Sequence, residues 1–183
     1  FAVAIASLPG RSADYAIVGA PNHDGVADNA GAAYIFVRKA GTWRQQAKLF
    51  PADAAESDAF GHFVSIDRTT AVIGAPSHDG SANNAGAAYI FVRDGDTWIQ
   101  RKKIVPMDLG RSDGLGGSVY VRGKTVLVGA PGHTHSGVRF AGAVYVFTQE
   151  NEVWTQQAKL TADEAGKSDR FGSSISMSTD RII

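Results

Sequence analysis

The chain of 183 residues has 18 basic and 18 acidic side chains, so its formal net charge is zero, and it contains no cysteine. The balanced charge gives no electrostatic basis for binding nucleic acid or an anionic membrane surface. The absence of thiols excludes disulfides, zinc–thiolate sites and cysteine nucleophiles. No apolar run reaches the roughly 18–20 residues that a membrane span needs.

Short β-rich runs separated by turn residues fill the chain. In chain order, the predicted strands are 1–8, 15–20, 31–38 and 42–50, then 60–66, 70–75, 86–93 and 97–105, then 115–121, 124–130, 142–148 and 153–160. Glycine, proline and Asp-Gly dipeptides separate runs that are rich in β-branched and aromatic residues. No stretch has a sustained helical period, so we expect an all-β fold with almost no helix.

A passage that ends in Gly-Ala-Pro occurs three times. Its glycines are spaced 74 − 19 = 55 and 129 − 74 = 55 residues apart. Four short antiparallel strands in each unit of about 50 residues are typical of a β-propeller blade. We therefore predict one propeller domain with about three full blades and a partial fourth, at 1–50, 51–106, 107–162 and 163–183. The chain begins and ends inside this pattern, so we expect it to be a segment of a longer protein.

Several residues recur with the period, and we predict structural roles for them. The glycines that open a first strand or end a second strand indicate close backbone approach or a bend near the propeller axis. The tryptophans are predicted to pack between neighbouring blades rather than to stack on a ligand. These structural positions are Gly19, Pro21, Trp43, Phe60, Gly61, Gly74, Pro76, Trp98, Gly129, Pro131, Trp154, Phe171 and Gly172.

Phe171-Gly172 at the start of one strand, and Gly-Ala-Pro at the end of the next in the complete units, resemble the FG-GAP repeat. This repeat is the blade unit of integrin-α-type propellers, and the stretch 159–175 is most similar to its bacterial version. The resemblance covers essentially the whole chain and implies a propeller that mediates binding or adhesion. Integrin-type blades often carry an Asp-rich calcium loop whose last position would be Asp14. The earlier ligand positions are Ala6, Leu8 and Gly10, which offer no carboxylate, so the calcium site is not transferred.

Polar residues collect in the loops between the second and third strands. The loops could bind a divalent cation or a sugar, with one site per blade. Alternatively, Asp-Gly is a turn dipeptide, and Asp and Asn cap turns through their own backbone; we favour this interpretation. The binding candidates are His23, Asp24, Asp28, Asn29, His78, Asp79, Asn83, His133 and His135, and the weak metal candidates among them are Asp24, Asp28, Asp79 and Asn83.

Two further patterns of polar residues admit both a binding and a structural interpretation. The two imidazoles of His133 and His135 could share a transition metal, but we favour a solvated surface pair. Aspartates also recur between the units, and we predict that they accept backbone N–H bonds from the turn that enters the next blade. These aspartates are Asp53, Asp58, Asp108, Asp113, Asp163 and Asp169.

The sequence contains no Gly-x-Ser-x-Gly, His-Glu-x-x-His or P-loop motif, and its carboxylates recur like scaffold residues. We therefore expect a non-catalytic, extracellular or cell-surface module that binds a protein, without a cofactor, or with calcium as the weaker alternative. A glycan-binding propeller and an accessory domain of a secreted hydrolase are the other hypotheses. Three blades do not close a ring, so we expect further blades or further copies of the chain as partners.

Overall fold

The computed structural model describes residues 3–6 and 14–178. Within these ranges the regular structure is entirely β, as predicted, and there is no apolar helix long enough to cross a membrane. The strands are β1 (Val3–Ala6), β2 (Asp14–Ala20), β3 (Ala32–Lys39), β4 (Thr42–Leu49), β5 (Val64–Asp67), β6 (Thr70–Ala75), β7 (Ala87–Asp94), β8 (Thr97–Ile104), β9 (Ser118–Arg122), β10 (Thr125–Ala130), β11 (Ala143–Glu150) and β12 (Val153–Leu160).

The strands form three four-stranded antiparallel sheets, each in simple sequence order. Sheet 1 contains β1–β4, sheet 2 contains β5–β8 and sheet 3 contains β9–β12. The register between the third and fourth strands shifts at the same place in every sheet, for example between Ile35 and Phe36. The prediction of four-stranded antiparallel units is confirmed, and the three sheets are built to one pattern.

The first strands of sheets 2 and 3 are shorter than predicted. Strand β5 begins only at Val64, and Phe60 instead forms a parallel bridge with Gly31 of the preceding sheet. The prediction that Gly61 opens the strand is wrong, because its φ of 91° is incompatible with an extended β-strand. Leu115 forms the same bridge to Gly86 ahead of β9. Of the predicted strand 1–8, the structure describes 3–6, and the remainder lies outside the described residues.

Glycine backbones meet where successive sheets approach each other. Within the second unit the Gly61 N–H donates to the Gly74 carbonyl at 3.0 Å, and within the third the Gly116 N–H donates to the Gly129 carbonyl at 2.9 Å. A Cβ atom on Gly19 would overlap the carbonyl oxygen of Gly61, and one on Gly74 would overlap that of Gly116. These positions therefore admit no side chain, which accounts for the recurrence of glycine.

Apolar side chains fill the spaces between the sheets. One cluster joins sheets 1 and 2 around Ile17, Phe60 and Tyr89, and a second joins sheets 2 and 3 around Leu115 and Tyr145. The first strands β1, β5 and β9 lie beside one another, with β5 in the middle. The sheets thus stack side by side, each burying one face on the next.

The tryptophans lie on the fourth strands and differ in burial. Trp98 of sheet 2 donates from Nε1 to Gln46 of sheet 1 at 3.0 Å and packs edge-on against Tyr15. Trp154 is 3% exposed within the cluster between sheets 2 and 3. Trp43 is 40% exposed and is covered by the guanidinium of Arg38.

Candidate functional site

The loops between the second and third strands lie at one end of the sheets, together with the segments that connect one sheet to the next. The histidine loops are defined as 22–30, 77–85 and 132–141, and the junction turns as 53–58, 108–113 and 163–169. A fourth strand ends where the third strand of the same sheet begins, so loops and turns share this end. We call this surface the loop face.

Asp24 and Asp79 each form a hydrogen bond within their own histidine loop. The Asp79 Oδ1 accepts the Asn84 N–H at 2.7 Å, and the Asp24 Oδ1 accepts the Asn29 N–H at the same distance. Both asparagines have a positive φ, a conformation that asparagine tolerates better than most residues. These carboxylates therefore hold a tight loop, and one oxygen of each is already occupied.

The backbone of the histidine loops holds the following junction turn. The Asp28 carbonyl accepts the Ser57 N–H at 2.9 Å, and the Asn83 carbonyl accepts the Ser112 N–H at 3.0 Å. The adjacent Asn29 carbonyl also accepts an N–H, from Ala59. Asp28 and Asn83 thus contribute main-chain oxygens to the contact between successive units.

In each histidine loop, the first histidine forms a hydrogen bond with a lysine on the fourth strand of the same sheet. The Nε2 atoms of His23, His78 and His133 lie 2.7, 2.8 and 2.6 Å from the Nζ atoms of Lys48, Lys103 and Lys159, respectively. A lysine ammonium only donates, so Nε2 is the acceptor and the ring proton resides on Nδ1. The Nδ1–H is therefore available for a carboxylate.

Buried aspartates of the junction turns face these Nδ1 atoms. His133 Nδ1 is hydrogen-bonded to Asp113 Oδ2 at 2.6 Å, whereas His78 Nδ1 lies 3.0 Å from Asp58 Oδ2 but outside hydrogen-bond geometry. The four residues are at most 5% exposed. Asp58 also accepts the Ala55 N–H at 2.8 Å, which is the backbone bond expected for a junction aspartate. A buried carboxylate is tolerated only with such partners.

The first aspartate of each junction turn pairs with the same lysine. Lys103 Nζ lies 2.5 Å from Asp53 Oδ2, and Lys159 Nζ lies 2.7 Å from Asp108 Oδ2. Each junction is therefore an alternating chain of aspartate, histidine, lysine and aspartate. We call this set the junction network; it ties a sheet to the segment that enters it. The common period of the histidines and lysines was the sequence signal for it, and sequence analysis did not connect the two series.

In sheets 2 and 3 a buried tyrosine lies beside the network, and the nearby carboxylate affects its pKa. The Tyr145 hydroxyl donates to Asp108 Oδ1 at 3.0 Å, whereas the Tyr89 hydroxyl lies beside Asp53 outside hydrogen-bond geometry. Burial and the neighbouring carboxylate raise the pKa of both tyrosines. Burial also raises the pKa of Asp108, but the hydrogen bonds from Lys159 and Tyr145 outweigh it, so the pKa lies below the ordinary 3.8. The pKa of Asp53 is lowered against burial in the same way by Lys103.

An open pocket of about 650 Å³ lies over the network of sheet 2. Asp53, His78, Asp79 and Lys103 provide its polar lining, and Val105 provides an apolar edge. The pocket therefore combines sequence-predicted candidates with a lysine that was not predicted. The pocket is wide and of mixed lining, with charged side chains beside Ala55 and Val105, so it offers both hydrogen-bonding and apolar contacts to a ligand.

The structure does not bring the candidates together as a metal centre. His133 points to Asp113 and Lys159, whereas His135 Nε2 lies 3.1 Å from the Ser136 hydroxyl. In residues 3–6 and 14–178, no group of three or more His, Cys, Asp or Glu side chains could hold a metal ion. The carboxylates of the loop face do not converge on one point. They lie apart from one another and contact backbone N–H groups, histidines or lysines instead.

A comparison with known protein families identifies the repeat in this chain. The sequence model of the FG-GAP repeat matches residues 43–91, 98–147 and 154–183. Each match begins at the tryptophan of a fourth strand, and the first two continue into the third strand of the following sheet. No curated protein matches the chain. The matched stretches cover more than half of the sequence and cross the junctions at which the networks lie.

Proposed function

Because the chain belongs to the FG-GAP repeat family, whose repeats build β-propellers, we propose that it is a non-catalytic, extracellular or cell-surface module that binds a protein ligand. The loop face is the binding surface in this proposal. Propellers commonly present their loops to ligands, while the sheets supply a rigid scaffold. Adhesion is the biological role that the proposal implies.

Exposed apolar side chains on the loop face carry the proposal. Met107, directly before the second junction turn, is fully exposed, and Val26 in the first histidine loop is 58% exposed. Phe50, directly after β4, is 48% exposed. Large apolar side chains at a loop-rich end, among polar neighbours, are typical of a surface that a protein partner covers.

The distribution of charge supports a binding role over a catalytic one. A catalytic site needs a general base or nucleophile at one special place. Here the histidines and aspartates that approach each other, such as His78 with Asp58 and His133 with Asp113, recur from sheet to sheet. In both pairs the imidazole Nε2 is engaged by a lysine, so its acceptor position is occupied.

Attachment of cells to a surface coated with the chain tests the proposal. We expect Met107→Asp and Phe50→Asp to reduce attachment at least about tenfold, since a hot-spot side chain contributes about 1.4 kcal/mol or more. Val153→Asp is the matched control, because Val153 is 59% exposed at the opposite end of sheet 3. No attachment, or equal attachment of the Met107 variant and the unmodified chain, would overturn the proposal.

Glycan binding is the second candidate, and the open pocket of about 650 Å³ with charged side chains in its lining favours it. Its carboxylate, imidazole and ammonium groups are donors and acceptors that sugar hydroxyls could use. Binding on a glycan array that is lost in Lys103→Met and retained in Met107→Asp would select this candidate over protein binding. A glycan array without signal would remove it.

A further inference from the structure

A second open pocket of the loop face lies where the ends of sheets 2 and 3 meet. It has a volume of about 340 Å³, and its walls include Pro76 and Pro131, the prolines that follow β6 and β10. Three further side chains line it from separate segments. His62 precedes β5, Phe140 lies in the third histidine loop, and Arg170 directly follows the third junction turn. We call this cavity the arginine pocket.

Phe140 and Arg170 depart from the repeat. The Arg170 N–H donates to the Phe140 carbonyl at 3.0 Å, and one unit earlier the Gly114 N–H donates to the Asn84 carbonyl at 3.2 Å. These equivalent hydrogen bonds show that Phe140 stands at the position of Asn84, and Arg170 at the position of Gly114. An aromatic ring and a guanidinium thus replace an amide and a bare backbone.

His62 departs from the repeat in the same way. The His62 N–H donates to the Ala59 carbonyl at 3.1 Å, and the Gly117 N–H donates to the Gly114 carbonyl at 3.0 Å. His62 therefore stands where the next unit has glycine. The prolines of the Gly-Ala-Pro passages recur with the period, whereas these three side chains do not, and yet all three line one pocket. Their convergence indicates a site that the repeating fold itself does not require.

Phe140 and Arg170 also adopt a backbone conformation that their residue types rarely adopt. The φ angle is 55° at Phe140 and 53° at Arg170. The equivalent Asn84 and Gly114 have φ angles of 52° and 63°, and asparagine and glycine tolerate this region well. Large side chains in this conformation are strained, and such strain is concentrated at functional sites. The strain therefore supports a functional role for the two side chains.

The arginine pocket places positive charge beside apolar surface. Arg170 is exposed and forms no ion pair in the part of the chain that the structure describes. The guanidinium of Arg139 lies over the ring of Phe140, 5.5 Å from its centroid, and adds a second positive charge beside the pocket. Phe140, Pro76 and Pro131 supply the apolar surface. A negatively charged group next to an apolar group matches this lining.

The one carboxylate that lines the pocket is already engaged. Asp113 Oδ2 accepts hydrogen bonds from His133 Nδ1 at 2.6 Å and from the Gly110 N–H at 2.9 Å. Sugar hydroxyls donate as well as accept, so a neutral sugar would find few free acceptors here, whereas a carboxylate only accepts. The lining therefore favours a carboxylate on a peptide.

We propose that the arginine pocket binds an acidic side chain of a protein ligand, with an apolar neighbour of that side chain packed against Phe140 and the prolines. Arg170 binds the carboxylate, because a guanidinium presents two parallel N–H donors to its two oxygens. His62 provides a further polar contact. The inference deepens the proposed function and rests on it for the ligand being a protein.

An NMR titration of the ¹⁵N-labelled chain with the peptide acetyl-Leu-Glu-Leu-amide tests the proposal. The matched probe is acetyl-Leu-Gln-Leu-amide, which has the same shape without the charge. We expect the Glu peptide to shift the amide resonances of Phe140 and Arg170. We also expect it to bind at least about tenfold more tightly than the Gln peptide, since charge-assisted hydrogen bonds to arginine are lost in the latter.

Two variants use the residues that the second unit carries at the equivalent positions, so the backbone conformation is retained. We expect Arg170→Gly to bind the Glu peptide at least about tenfold more weakly, and Phe140→Asn to weaken the binding of both peptides. Lys167→Gln is the matched control, because Lys167 is an exposed cation of the third junction turn that does not line the pocket. We expect this control to bind like the unmodified chain.

The absence of Glu-peptide binding, equal binding of the two peptides, or binding that Arg170→Gly leaves unchanged overturns the inference. Binding of sodium glucuronate in the pocket without binding of the Glu peptide also overturns it, and would identify an acidic sugar as the ligand. Cell attachment without binding of the Glu peptide refutes the pocket alone. Binding of the Glu peptide without cell attachment supports the pocket and refutes the adhesive role.

Discussion

His78 and Asp58 are both buried, and their Nδ1 and Oδ2 atoms lie 3.0 Å apart although they belong to different segments of the repeat. The aspartate lies in the turn that enters sheet 2, and the histidine lies in a loop of that sheet. Their pairing, together with Lys103 and Asp53, fastens the entering segment to the sheet. This relationship gives the recurring polar residues of the loop face a mechanical role alongside the proposed ligand contacts.

Asp58→Ala is expected to lower the free energy of unfolding by about 1–3 kcal/mol, the cost of leaving buried donors unpaired. The substitution removes the acceptor of the Ala55 N–H and the carboxylate that faces His78 Nδ1. Urea unfolding measures the change. The control is Glu56→Gln, an exposed carboxylate of the same turn, which should stay within about 0.5 kcal/mol. Equal stability of the two variants would contradict the proposed role of Asp58.

Gly74→Ala is expected to cost about 1–3 kcal/mol or more, because the new Cβ overlaps the carbonyl of Gly116 in the next sheet. The neighbour is backbone and cannot move without separating sheets 2 and 3. Gly80→Ala is the matched control, since a Cβ there meets only ordinary contacts with His78 and Val105. Thermal unfolding of the two variants compares them directly. A Gly74 variant as stable as the Gly80 variant would show that the sheets can separate slightly at no cost.

Alkaline pH should destabilise the fold through Tyr89. Burial, followed by the charge of Asp53, raises the pKa of Tyr89 in the folded state above the ordinary 10.0. Below pH 10 the phenol is neutral in both states, so its contribution is fully present. Above pH 10 the unfolded chain loses the proton first, and stability falls by up to about 1.4 kcal/mol per pH unit.

Tyr89→Phe isolates this contribution from the titration of lysines. The hydroxyl of Tyr89 has no hydrogen-bond partner among the described residues, so the variant should be close to the unmodified chain in stability at pH 7. Between pH 10 and 11 it should lose less stability than the unmodified chain. Parallel pH profiles of the two proteins would be inconsistent with a raised pKa.

Calcium is expected to leave the melting temperature unchanged. The Asp24 and Asp79 carboxylates each hold their own loop, and calcium requires six to eight oxygens. Thermal unfolding in a chelator and in millimolar calcium measures the effect. A rise of several degrees with calcium would identify a metal site, and Asp79→Asn would then show whether the second histidine loop forms it.

Much of the fold was predictable from the sequence, because strand patterns are local. The alternation of apolar and polar residues and the glycine-rich turns located the second, third and fourth strands of every sheet to within a few residues. The first strands of sheets 2 and 3 were misplaced at their beginnings. Phe60 and Leu115 continue an apolar run, but their backbone pairs with the preceding sheet, and a local pattern does not reveal which neighbour a residue pairs with.

The candidate site was predicted only in outline. The period of the sequence alone determined that the chain is a repeat of antiparallel sheets, since side-chain alternation and turn chemistry are encoded within each unit. Tertiary structure decided which polar groups meet. Asp58, His78 and Lys103 lie in a turn, a loop and a strand, and each is an ordinary polar residue there. They form a network, with Asp58 and His78 buried and Lys103 partly exposed, only because the tertiary structure brings these three segments together.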